Sequence, residues 1–204
     1  MNEGATRAGH LALLTALAGL LLGAAALWFG VMGNAIALWG FGAACLLQIP
    51  PALSLRFRIR AGLGNRGLEG ERLTLRSVSH LQRLLALGLG LASLAALMGG
   101  RAPQASLPIL GGAALAAGML AAIWSAKQGL KGIHPALELD AALTRTLLEL
   151  SALLVAGCLL GFWFPWADAA SGFMQALRLF LAGRSLAKAT TVPPACGGCG
   201  SGCC

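Results

Sequence analysis

Cys196, Cys199, Cys203 and Cys204 stand at the carboxyl-terminal end of the sequence, separated only by glycine and serine. A Cys-x-x-Cys pair can bite one soft metal ion, and two further thiolates would complete a four-sulfur shell for a thiophilic metal ion such as zinc or copper(I). The same thiols also suit a dithiol redox pair, thioester lipidation beside a membrane, or no chemistry at all. A second set lies upstream. Asp168, Ser171, Gln175 and Arg178 follow one another at steps of three, four and three, which places them on one stripe of a helix. Glu149 precedes Pro165 by 16 residues and Arg178 follows it by 13. At a rise of about 1.5 Å per residue, a hairpin turning at Pro165 would bring the two charges to within roughly 5 Å of the same depth. Arg145, one turn before Glu149, is a competing partner. The readings for Glu149 are a structural ion pair and a transport or proton-relay role. For Asp168 they are a cap on exposed N–H groups and a site carboxylate.

These groups need a scaffold, and its solvent is lipid. The chain is 57% hydrophobic and 11% charged, without a tyrosine in 204 residues, too apolar and too poor in charge for a soluble domain. Spans are expected at Leu11 to Phe29, Val31 to Ala52, Leu81 to Met98, Leu107 to Ala126, Leu147 to Phe164 and Trp166 to Ala182. Each approaches the length of about 20 residues that crosses a hydrocarbon layer as a helix. The first is read as a retained span and not a cleaved leader. The expected architecture is an all-α membrane protein, a six-transmembrane-helix bundle over residues 1–189, followed by a flexible cysteine-rich tail over 190–204. Gly30 and Pro165 are the expected turns of two tight hairpins, and Pro50 and Pro51 should end or kink the second span.

Cations accumulate in cytoplasmic loops. Arg56, Arg58, Arg60, Arg66, Arg72 and Arg76 follow span two, Lys127, Lys131 and Arg145 follow span four, and Arg184 and Lys188 follow span six. Only Arg101 falls on the other side, so both termini are expected in the cytoplasm, with a bacterial inner membrane as the location. There the reducing cytosol would keep the tail thiols free. The net charge of +8 is read as topogenic charge beside anionic lipid and not as a nucleic-acid surface. Trp28, Trp124, Trp163 and Trp166 lie near span ends, as an interfacial belt would require. Gly19, Gly23, Gly88, Gly111, Gly112 and Gly118 are expected to allow close helix approach. His10, His80 and His134 fall at the cytoplasmic boundary in no metal-ligand spacing, and Cys45 and Cys158 read as small core residues. No nucleotide loop, nucleophile elbow or zinc-protease motif is present, and no enzyme is expected.

Six spans with both ends inside resemble the membrane domain of the cation diffusion facilitator family. The closest local likeness is the turn Phe164-Pro165-Trp166-Ala167-Asp168 and the exit of span six through Leu181, Ala182, Gly183, Arg184, Ser185 and Leu186. The resemblance implies a proton-coupled exporter of zinc and related divalent ions. Members carry the ion on Asp and His residues one turn apart in spans two and five. Here Gly40, Ala43 and Leu47 stand in span two, and Arg145 and Glu149 in span five. The implied function is metal cation transport or handling, with the tail as a soft-metal ligand. The expected partners are the lipid bilayer, a metal cation and, in the open case of a homodimer, a second copy, but no nucleic acid. The alternative is a non-transporting scaffold or partner subunit.

Overall fold

The computed structural model describes residues 3–61, 68–100, 107–130 and 134–191. Regular structure among them is helical throughout: α1 (Glu3–Met32), α2 (Ile36–Leu47), α3 (Ile49–Arg60), α4 (Leu68–Met98), α5 (Leu107–Gln128), α6 (Pro135–Leu160) and α7 (Ala167–Thr191). Five segments are long and apolar enough to cross a membrane, with α2 and α3 counted together as Ile36–Arg60. The remaining helix, α7, is 25 residues long and reaches about 37 Å. Its polar stripe sets it apart from those five. The Arg66, Arg101, Lys131 and tail-cysteine positions lie outside the described residues.

Two turns fall where the sequence did not place them. Helix α1 runs through Gly30 and reverses at Gly33 and Asn34, whose φ of 50° is left-handed. Gly30 instead lies within a helix contact, since a Cβ there would sit 2.7 Å from the Trp39 nitrogen. The α6–α7 connection likewise occupies the whole stretch between Leu160 and Ala167 and not Pro165 alone. The prolines act as expected on the second span. The helix breaks at Gln48, and Pro50 and Pro51 fall in the first turn of α3, where a missing N–H leaves no intrahelical bond unmade. Of the glycines expected to pack, Gly19 and Gly23 do so against Cys45 and Leu46, while Gly88, Gly111, Gly112 and Gly118 face open space.

Burial is inverted relative to a water-soluble bundle. The interior holds many alanines together with Ser79, Ser93, Thr144, Ser151 and Gln175, whereas Leu21, Leu91 and Leu115 are 68%, 69% and 77% exposed. Small residues inside let backbones approach where lipid supplies no hydrophobic drive, and leucines outside are at no disadvantage in acyl chains. The chain therefore has the character of an integral membrane protein. Helix α4 packs along α7, α1 along α2 and α3, and α5 along α6. One end of the bundle gathers the start of α1, the end of α3 and the start of α6 around Ala8, Ala12, Leu55, Ile59 and Ala136. The first half of α4 meets the end of α7 through Leu75, Val78 and Leu186. Most described lysines and arginines cluster toward this end. Among the described residues the opposite end carries Asp168 and no lysine or arginine.

Candidate functional site

The stripe on α7 is real, and its members are spent on neighbouring helices. Asp168 Oδ2 accepts the backbone N–H of Ile36 at 2.9 Å, so the N–H groups it caps are those of α2 across the bundle and not those of its own first turn. Helix α2 has no side-chain cap of its own at Ala35, and a carboxylate suits the positive end of its dipole. Ser171 Oγ donates to the Leu153 carbonyl at 2.8 Å, and Gln175 Nε2 donates to that of Leu150 at 3.3 Å. Gln175 is fully buried. Its Oε1 has no partner among the described residues, and the same holds for Gln82 Oε1 and Ser93 Oγ on α4.

Glu149 and Arg178 meet. The Arg178 guanidinium donates to Glu149 Oε2, while Arg145 Nε donates to Oε1 at 2.9 Å. One carboxylate thus serves two arginines, and the two partners weighed from sequence are both engaged. The trio is not enclosed. Glu149 is 29%, Arg178 38% and Arg145 64% exposed at the side chain, and the charges stand on the outer wall of the α6–α7 hairpin. Ala152, Leu153, Leu177 and Leu181 line a groove beside them.

Two more enclosed ion pairs were missed by sequence reasoning. Lys127 Nζ lies 2.6 Å from Asp140 Oδ2 and donates to Thr144 Oγ1 at 2.8 Å, with 4% of the lysine side chain and 12% of the aspartate exposed. Thr144 Oγ1 in turn donates to the Asp140 carbonyl at 3.0 Å. A lysine in the last turn of a span reads as a snorkelling cation. The available signal was Asp140 and Thr144 at a spacing of four, one face of the next helix. The second pair joins Arg58 on α3 to Glu71 on α4, both largely buried. His134 stands near it. Its Nδ1 accepts the Ala136 N–H at 3.1 Å as the N-cap of α6. Burial pushes His134 below the usual imidazole range, Arg58 adds to that, and Glu71 opposes it. Gln48, at the break between α2 and α3, donates to the Leu143 carbonyl at 2.8 Å and ties the break to α6.

The seam between α2 and α6 is apolar. Phe41, Ala44, Cys45, Leu147, Leu150 and Leu154 belong to one buried cluster, and Arg145 and Glu149 point away from it toward the hairpin wall. A cavity of about 280 Å³ near the end of α1 and the starts of α2 and α5 is bounded by such residues as Leu22, Phe29, Phe41 and Ile109 and presents no charged group. No group of three or more His, Cys, Asp or Glu side chains able to hold a metal ion occurs among the described residues. Cys196, Cys199, Cys203 and Cys204 lie outside them. Chemically, then, the described body offers interhelical hydrogen bonds, three ion-pair clusters and a charged groove. In comparisons with known proteins, no family model matches the chain, and no curated protein matches it.

Proposed function

We propose that this chain is a cation-diffusion-facilitator-like membrane protein that handles metal cations, with α7 as a sixth span, both termini in the cytoplasm and a bacterial inner membrane as its site. The four tail cysteines would collect a thiophilic ion, zinc or copper(I), at the cytoplasmic face. The observation that carries this reading is the packing of α7 along α4 and against α6 and α2. With α7 counted as a span, the segments alternate in direction, and every second reversal returns the chain to the end rich in arginine. Leu186 meets Leu75 and Val78 there, so the last turns of α7 lie beside the part of α4 that carries Arg72 and Arg76. Under the orientation rule that end faces the cytosol, where thiols stay reduced.

Metal analysis of the purified full-length protein tests the proposal. Zinc or copper(I) should copurify or bind on anaerobic titration, and the C196S/C199S/C203S/C204S variant should lose it. Equal metal content in parent and variant would overturn the tail assignment. Thiol labelling in intact cells at positions introduced beside Arg66 and Arg101 tests orientation, and labelling from outside at the Arg66 side would overturn it. A second reading, a scaffold that binds metal without moving it, is favoured by the apolar seam of Phe41, Leu147, Leu150 and Leu154 between α2 and α6. Reconstituted vesicles decide between them. Metal uptake that depends on the protein supports transport, and tail binding without uptake supports the scaffold.

A further inference from the structure

The outer wall of the α6–α7 hairpin holds a groove of about 450 Å³ between Ala152 and Leu153 on α6 and Met174, Leu177 and Leu181 on α7, with Glu149 and Arg178 on its rim. Its walls are otherwise aliphatic. The charge is unbalanced, because Arg145 and Arg178 share the single carboxylate of Glu149, leaving the cluster at +1. Arg145 uses Nε for that contact, and a guanidinium carries five N–H donors. Arg184 extends the positive charge. It follows Leu177 and Leu181 at helical spacing on the same face of α7 and is exposed. Toward the other end of the bundle the α6 wall continues with Ala152, Ala156 and Leu160, an apolar run with no charge to meet. The surface is therefore cationic at the basic end of the bundle and a furrow for hydrocarbon above it.

We infer that this groove binds one anionic phospholipid, with its phosphate on Arg145, Arg178 and Arg184 and an acyl chain lying along Leu153 and Leu177. The inference rests on the reading of the chain as membrane-spanning. Basic pockets between helices at the cytoplasmic side recognise anionic head groups through this combination of charge and chain packing. A zwitterionic lipid brings an ammonium group that the arginines repel. A second copy of the chain fits poorly, since a two-fold contact sets the same patch against itself and would face these arginines with their own copies.

Native mass spectrometry of the full-length protein, released from detergent in the presence of phosphatidylglycerol or phosphatidylcholine of identical acyl chains, tests it. The parent should retain phosphatidylglycerol about fivefold better for each arginine engaged, and R145Q/R184Q should bring the two lipids close to equal. Leu153→Trp, which fills the furrow and leaves every charge in place, should weaken retention of both. Equal retention by the parent, unchanged preference in R145Q/R184Q, or a lipid-free dimer would each overturn the site. Should R145Q/R184Q fail to purify, undiminished lipid retention by Leu153→Trp overturns it alone. Alkaline carbonate extraction of native membranes separates the two failures. Protein that stays with the bilayer yet shows no lipid preference refutes the groove only, and protein that extracts refutes the membrane reading itself.

Discussion

Changing Lys127 to Met would remove the ammonium from one of the two most enclosed ion pairs among the described residues while keeping the bulk of the side chain. Two contacts vanish at once, the one to Asp140 Oδ2 at 2.6 Å and the one to Thr144 Oγ1 at 2.8 Å. The Asp140 carboxylate stays behind, only 12% exposed. Hydrogen bonds to charged groups contribute about 1.5–3 kcal/mol each, and stripping one partner from a buried pair costs about 3–5 kcal/mol because the other charge is left uncompensated. Asp140 keeps 12% of its side chain exposed, so the lower part of that range, about 3 kcal/mol, is the expected loss. K127M/D140L removes both charges and should recover most of it, giving a coupling of at least about 2 kcal/mol between the sites. Asp140→Asn should be milder than K127M, since its amide oxygen still accepts from the lysine. Unfolding of the parent, K127M, D140L and K127M/D140L in mixed micelles, followed by helical circular dichroism, supplies the four free energies of the cycle. A loss below about 1 kcal/mol for K127M, or a double variant no better than the singles, would refute the claim that enclosure gives this pair its weight.

At the hairpin wall Glu149 serves two arginines, so E149Q should lower the melting temperature most and R178Q less. R145Q should lower it least, since an exposed pair one turn apart contributes about 0.3–0.5 kcal/mol; the opposite ranking would refute the shared-carboxylate geometry. Asp168→Ala should cost about 1–2 kcal/mol through the lost cap on α2, while Asp168→Asn keeps an acceptor and should retain most of the stability; equal losses would show the cap is idle. His134 is held below its usual value near 6.5 by burial, so the unfolded chain takes up its proton first. Its stabilising contribution is full above that value and is lost as pH falls below it toward the lower folded value. As pH falls below about 6.5 the parent should lose stability that H134N, an acceptor that does not titrate, does not lose, and parallel pH profiles would refute the assignment.

Much of the helix plan was legible because lipid as solvent leaves a one-dimensional trace. Runs of apolar residues at bilayer length mark the spans, and α1, α4 and α5 contain the expected segments entire. The Pro50–Pro51 break and the common face of Asp168, Ser171, Gln175 and Arg178 follow from proline chemistry and helical period. A depth count along two helices was enough to bring Glu149 and Arg178 level. What that stripe contacts could not be read in this way. Asp168 reaches the N-terminus of α2 across 132 residues of sequence, and no periodicity encodes a partner that distant. Gly30 read as a turn because glycine permits one, yet the close approach of Trp39 uses its missing side chain instead. The Lys127–Asp140 and Arg58–Glu71 pairs looked like ordinary interfacial charges until the ends of α5 and α6, and of α3 and α4, were set side by side. Residue type and spacing determined which groups must avoid lipid. Only the packing of helices decided which neighbour each would find, because hydrogen bonds and ion pairs act over about 3 Å in space and are indifferent to separation along the chain.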